Sequence, residues 1–185
     1  MSSGARERAS ERMSDASFKF MCFAFDVLDF LFPYIHARVK GFGLREGMTV
    51  VDYGCGPGRY TARFSKLVGA TGKVYAVDIH EMAIEAVKRK IAERGWQNVA
   101  PVPASGYNSG IPDHVADVVC AIDMFFIIKN PTEFLGELKR IAKKDGMLII
   151  DDGHQSRDVT KKSLLASGHW TIEQETRDHL KCKPS

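Results

Sequence analysis

Cysteine is scarce in this chain of 185 residues: only Cys22, Cys55, Cys120 and Cys182 occur, and no two lie close enough in sequence to form a zinc knuckle. So few thiols do not build a disulfide framework either, and a reducing, cytoplasmic setting is the expectation. No basic run is present. Lys and Arg number 26 against 23 Asp and Glu, and a net charge of +3 speaks for no nucleic-acid partner. Long apolar runs are missing as well. The most apolar stretch, Phe18 to Ile35, is broken by Asp26, Asp29 and Pro33 and falls short of the roughly 20 apolar residues of a membrane span. That stretch also lacks the basic start and small-residue cleavage site of a signal peptide. These absences leave a single globular domain with a sizeable core.

Residues 1–13 are small, charged and without periodic apolar positions, and read as a disordered arm preceding one domain over 14–185. Ser14 is placed to cap a helix over 14–37, in which Phe18, Met21, Cys22, Phe25, Leu28 and Phe32 recur at helical spacing. So broad an apolar face must be covered, either as core cover or as a lid over a site, and a homodimer interface is another use of the same surface.

From Met48 onward, strands and helices alternate. Met48 to Val51 reads as a buried strand, followed by a helix with Tyr60, Phe64, Leu67 and Val68 on one face. Val74 to Asp78 is a second strand, and a helix over 81–94 ends at Gly95. A third strand, Asn98 to Val102, contains Pro101 and therefore belongs at a sheet edge. Val115 to Ile122 is the fourth, and Asn130-Pro131 opens a helix whose Phe134, Leu135, Leu138 and Ile141 face the sheet. Met147 to Ile150 is the fifth, followed by a short helix near 160–166 and a hairpin of Trp170 to Thr176 with His179 to Cys182. This order predicts an α/β fold with a parallel, doubly wound sheet.

In such sheets ligands bind beyond the carboxyl ends of the strands. The first strand ends there in Asp52-Tyr53-Gly54-Cys55-Gly56-Pro57-Gly58, where absent side chains let a ligand approach the backbone amides that open the next helix. The spacing is G-x-G-x-G rather than the G-x-G-x-x-G of dinucleotide binders. Asp78 closes the second strand 20 residues beyond Gly58, where a carboxylate can accept from both ribose hydroxyls of an adenosine. Either cofactor class would use it.

Val50-Val51-Asp52-Tyr53-Gly54-Cys55-Gly56-Pro57-Gly58 resembles motif I of the class I S-adenosylmethionine-dependent methyltransferases, and Val77-Asp78 resembles their second motif. The likeness runs on through Ala116-Asp117-Val118-Val119, Asp145-Gly146-Met147-Leu148-Ile149-Ile150 and Ser167-Gly168-His169-Trp170, and covers about residues 38 to 184. It implies a Rossmann-like seven-stranded sheet of order 3-2-1-4-5-7-6 with strand seven antiparallel, and S-adenosylmethionine as cofactor with S-adenosylhomocysteine as product. By the same resemblance the backbone from Tyr53 to Gly58 holds the methionine moiety and Asp52 orders the loop or the amino group. Asp78 would bind the ribose and Ile79 would pack on the adenine. Two departures stand out. Many members place an acidic residue after strand three, where this chain has Ala104-Ser105, so Ser105 is the substitute candidate. Met124-Phe125-Phe126 follows strand four where related enzymes often carry histidine, so no histidine base is inherited there.

Methyl transfer from a sulfonium is an in-line displacement, driven largely by positioning, and needs a base only for a weakly nucleophilic acceptor. Asp123, at the end of strand four, is the first candidate for that base or for orienting the acceptor, and His154 beyond strand five is the second. Asp123, Asp151 and Asp152 could alternatively converge on magnesium, although a polar strand terminus is the plainer account of that cluster. Phe125 and Phe126, with the amino-terminal helix, would wall an apolar acceptor pocket, so a small, partly apolar molecule is the expected acceptor. Cys55 and Cys120 read as core. A nucleotide-binding oxidoreductase, disfavoured by the glycine spacing, and a non-catalytic relative that retains the cofactor fold remain as alternatives.

Overall fold

Short β-branched runs alternating with one-sided apolar helices assemble, in the computed structural model, into one seven-stranded sheet of order β3-β2-β1-β4-β5-β7-β6. The structure describes residues 14–20 and 34–185. The strands are β1 (Thr49–Tyr53), β2 (Lys73–Asp78), β3 (Val99–Pro103), β4 (Ala116–Ala121), β5 (Ala142–Ile150), β6 (Trp170–Glu175) and β7 (Leu180–Pro184). Neighbours from β3 to β5 pair parallel, and β7 runs antiparallel to both β5 and β6. The order is the one the sequence resemblance implies. β3 stands at the edge, and Pro101, which has no amide hydrogen to offer, is tolerated there.

Both sheet faces are covered. On one, α1 (Tyr34–Lys40) and α2 (Thr61–Val68) bring Ile35, Val39, Tyr60, Phe64 and Val68 onto Val50, Val118 and Ile149. α3 (Glu81–Arg94) seats Val87 on Ala76, on the same side. On the other face, α4 (Pro131–Ile141) packs Phe134, Leu135, Leu138 and Ile141 against Val51 and Val119, and Leu164 of α5 (Arg157–Ser167) joins them. The caps follow the sequence: Asn130 accepts from the Glu133 amide with Pro131 in the first turn, and Gly95 closes α3 in the left-handed conformation.

One side-chain orientation and two boundaries differ from the sequence reading. Leu67 is 41% exposed rather than inward, because α2 turns Thr61 and Ser65 to the sheet beside Phe64 and Val68. β5 begins at Ala142 rather than Met147, with the polar Lys143 to Asp145 carried as an irregularity opposite Ala116 and Val118. α5 starts at Arg157, three residues before its expected beginning at 160. Ser14 does cap a helical turn: Ser17 N–H donates to Ser14 Oγ at 3.2 Å and Phe18 N–H to Ser14 O at 2.9 Å, opening a helix over 15–20. The expected arm over 1–13, and Met21, Cys22, Phe25, Leu28 and Phe32 of the expected 14–37 helix, lie outside the described residues. Among the described residues no helix is long and apolar enough to cross a membrane.

Candidate active site

At the carboxyl edge of β1 and β2 the glycine loop is stitched to its neighbour by backbone bonds. The Gly54 and Cys55 amides both donate to Val77 O, at 2.8 and 2.9 Å, and the Gly56 amide donates to Asp78 Oδ2 at 2.8 Å. Asp78 Oδ1 accepts from the His80 amide, also at 2.8 Å, so the carboxylate is aimed before any ligand meets it. Burial pushes the Asp78 carboxyl above its ordinary range, with the His80 and Gly56 amides acting against that shift.

Glycine is required at Gly54, where φ is +77° and a Cβ would stand 2.8 Å from Met124 Cγ. Gly58 has another use: its Cβ would meet Val87 of α3 at 3.2 Å, so this glycine lets loop and helix approach and does not wall the cavity. Asp52 is buried and accepts from Thr61 Oγ1 at 2.5 Å, which fixes the loop to the first turn of α2. Burial raises its carboxyl to about 7. Tyr53 lines the cavity and donates its hydroxyl to Tyr107 O at 2.6 Å. Burial also drives the Cys55 thiol well above its usual range, which suits packing and not a nucleophile.

One cavity joins these groups to the end of β4. Its glycine-loop end is walled by Gly54, Gly56, Asp78, Ile79 and His80, and its far end by Asp123, Met124, Ile127 and Ile128 over Phe134. Gly106 and Tyr107, not Ser105, complete the wall after β3: Ser105 is exposed and exchanges backbone bonds with Asn108. Phe125 and Phe126 are absent from the wall. Phe125 is buried against Phe134, while Phe126 lies under Gly153 and edge-on to His154 at 4.8 Å. His154 is itself exposed and does not reach the cavity. In place of Phe125 and Phe126 the wall has Met124, Ile127 and Ile128 over Phe134, because the single helical turn Phe125–Ile127 turns both of those phenyl rings away from the cavity.

Asp123 takes φ +58°, a conformation L-residues avoid, and its carboxylate is half-exposed to the cavity. It accepts from Arg38 Nη1 and from the Tyr60 hydroxyl, each at 3.0 Å, while its amide donates to Asp151 Oδ1 at 2.9 Å. Arg38, buried on α1, also donates to Tyr60 Oη, to Asp178 O and through Nη2 to Asp151 Oδ2. Burial works against ionisation of Asp123, yet its bonds to Asp151, Arg38 and Tyr60 carry the carboxyl below the usual range. Asp151 moves the other way: burial and the adjacent Asp123 push it up to about 7.

The three strand-end carboxylates are paired with arginines. Asp123 and Asp151 share the Arg38 guanidinium, and Asp152 turns away to Arg157 Nε at 2.7 and 2.9 Å. Among the described residues no group of three or more candidate ligands could hold a metal. Arg38, Tyr60, Tyr107 and His80 were not legible as site residues. Arg38 alone carried a signal, as a lone cation between the apolar Ile35 and Val39, a position that demands a buried counter-charge.

A methyltransferase-domain family model matches residues 51–150. The ubiquinone/menaquinone biosynthesis C-methyltransferase UbiE of Escherichia fergusonii is 35% identical over 136 residues, which cover 68% of this chain and 53% of that protein. The chain thus spans about half the length of the curated relatives it matches. Among solved structures, a SAM-dependent methyltransferase from Aquifex aeolicus superposes with a TM-score of 0.77 at 28% identity, covering 82% of this chain and 89% of that one. A TehB-like SAM-dependent methyltransferase from Corynebacterium glutamicum shares the fold, with a TM-score of 0.73 at 15% identity over 93% of this chain and 100% of the other.

Proposed function

From the premise that this chain belongs to the methyltransferase-domain family, we propose that it moves the methyl group of S-adenosylmethionine to a small, partly apolar acceptor by in-line displacement. The observation that carries this reading is the single cavity joining the glycine loop and Asp78 at one end to Asp123 at the other. The residues present fit the cofactor: side-chain-free backbone at Gly54 and Gly56 for the methionine portion, the pre-aimed Asp78 carboxylate for ribose hydroxyls, and Ile79 for an apolar base face. When bound, the cofactor supplies an activated methyl group on a sulfonium.

The acceptor end pairs an apolar wall with the Asp123 carboxylate. That combination suits a phenol or quinol, the acceptor class suggested by relatives named for ubiquinone and menaquinone biosynthesis. Asp123, held ionised, would accept the proton of a ring hydroxyl, leaving the ring oxygen or a ring carbon as the nucleophile that the methyl group of a bound cofactor requires. Ser105 and His154 are not used in this reading, since neither reaches the cavity.

Calorimetry with S-adenosylhomocysteine tests the cofactor, and labelled S-adenosylmethionine with 1,4-naphthoquinols and simple phenols tests the acceptor. Micromolar binding, weakened at least tenfold by Asp78→Asn, is expected from the loss of charge-assisted bonds. No binding by the intact chain sinks the reading. Turnover without preference for quinols or phenols discards the acceptor class alone.

A further inference from the structure

His80 is 4% exposed, stands on the cavity wall beside Asp78 and Ile79, and caps α3. The cap fixes its tautomer. Nδ1 accepts the Met82 amide at 3.2 Å, so its lone pair is in use and the ring proton sits on Nε2. That Nε2 is buried and makes no hydrogen bond among the described residues; the nearest carboxylate, Asp15 Oδ1, stands 3.5 Å away. A buried donor left unmade is costly, which makes this N–H a group built to meet a ligand.

Phe18 supplies the other half. Within the helical turn over 15–20 it is the one buried residue, 4% exposed between exposed neighbours on both sides. Its ring stacks on the His80 imidazole with centroids 4.6 Å apart and planes 26° from parallel, and it lines the same cavity. The glycine-loop wall is held by its own bonds, the Gly54 and Cys55 amides to Val77 O and the Gly56 amide to Asp78.

We propose that Phe18 and His80 are cofactor-positioning residues: Phe18 is an aromatic cover over the nucleoside end of the pocket, and His80 Nε2 donates to a ribose oxygen or a base nitrogen of the adenosine. This rests on the S-adenosylmethionine reading and deepens it. Asp78 then offers the acceptor and His80 the donor to one nucleoside, a complementary pair from a single strand end. It also assigns the 14–20 segment to the cofactor side of the cavity and not to the acceptor wall.

The test is calorimetry of the full chain with S-adenosylhomocysteine, comparing wild type, Phe18→Ala and His80→Asn. Asparagine retains the helix cap but removes the ring and its Nε2–H, so the variant keeps α3 in place. Each substitution is expected to weaken binding about tenfold, from lost aromatic contact in one case and a lost buried donor in the other. In parallel, the His80 imidazole Nε2 resonance, assigned by its loss in His80→Asn, is expected to shift when S-adenosylhomocysteine is added to wild type. Affinities within twofold of wild type overturn the proposal, and so does an unmoved Nε2 resonance at saturating ligand. A lowered melting temperature with unchanged affinity assigns both residues to stability and also overturns it. Failure of the wild type to bind the ligand strikes the methyltransferase reading instead.

Discussion

Arg38 and Asp123 lie 85 positions apart, yet Arg38 Nη1 donates to Asp123 Oδ1 at 3.0 Å, so a buried cation on α1 holds the carboxylate that lines the β4 end of the cavity. The same guanidinium grips Asp151 just beyond β5 and the Asp178 carbonyl before β7, and meets Tyr60 at the start of α2. Burial opposes its charge, but Tyr60, Asp123 and Asp151 outweigh that effect and hold its pKa above the ordinary arginine value. A single side chain thereby ties the amino-terminal part of the fold to the end of β4, where Asp123 bends into a left-handed conformation.

Arg38→Met removes the cation and leaves two carboxylates facing each other. Breaking a buried pair from one side costs roughly 3–5 kcal/mol. A value near the lower end is expected in urea unfolding at pH 7, because Asp151 can take up a proton and Asp123 is partly solvated. Arg38→Lys should recover only part of the loss, since one ammonium cannot span both carboxylates as a guanidinium fork does. An unchanged unfolding midpoint for Arg38→Met would show that the cluster contributes nothing to stability.

Asp52 gives a pH dependence with a defined sign. Folding raises its carboxyl from the ordinary 3.8 to about 7, so between those values the folded protein binds more protons than the unfolded chain. Its contribution is full below about pH 4 and is lost as the pH rises to about 7. Asp52→Asn keeps an acceptor for the Thr61 hydroxyl but does not titrate. The stability of wild type relative to this variant should therefore fall with rising pH across that window, by up to about 1.4 kcal/mol per unit. Urea midpoints from pH 4 to 8 check it, and a flat difference rules out a protonated Asp52.

Gly54→Ala meets two obstacles, a φ of +77° and Met124 Cγ at 2.8 Å. A cost of about 1–3 kcal/mol in stability is expected, with at least tenfold weaker binding of S-adenosylhomocysteine. Adding Met124→Ala should relieve the collision but not the backbone strain, so the double variant recovers only in part. Full recovery would show that the side-chain clash alone matters.

Asp123→Asn separates acceptor chemistry from cofactor binding. S-adenosylhomocysteine affinity should stay within about twofold, while methyl transfer slows by roughly 10²-fold or more if this carboxylate takes the acceptor proton. Equal turnover by the variant at every pH removes Asp123 from the chemistry and leaves it a structural partner of Arg38.

Local chemistry alone determined the alternation of strands and helices, the edge position of the strand bearing Pro101, the caps at Asn130 and Gly95, and the glycine loop followed by Asp78. Each depends on residues within a turn or a single strand–loop–helix unit, where periodicity, missing Cβ atoms and missing amide hydrogens act directly. The tertiary structure decided which side chains share a space. Strand order brought Arg38, Tyr60, Asp123 and Asp151 to one sheet edge, turned Asp152 toward Arg157, rotated Phe125 and Phe126 off the cavity and laid Phe18 on His80. Nothing periodic encodes such pairings. They follow from desolvation, which forces every charge buried by the assembled sheet to find its partner among residues distant in the chain.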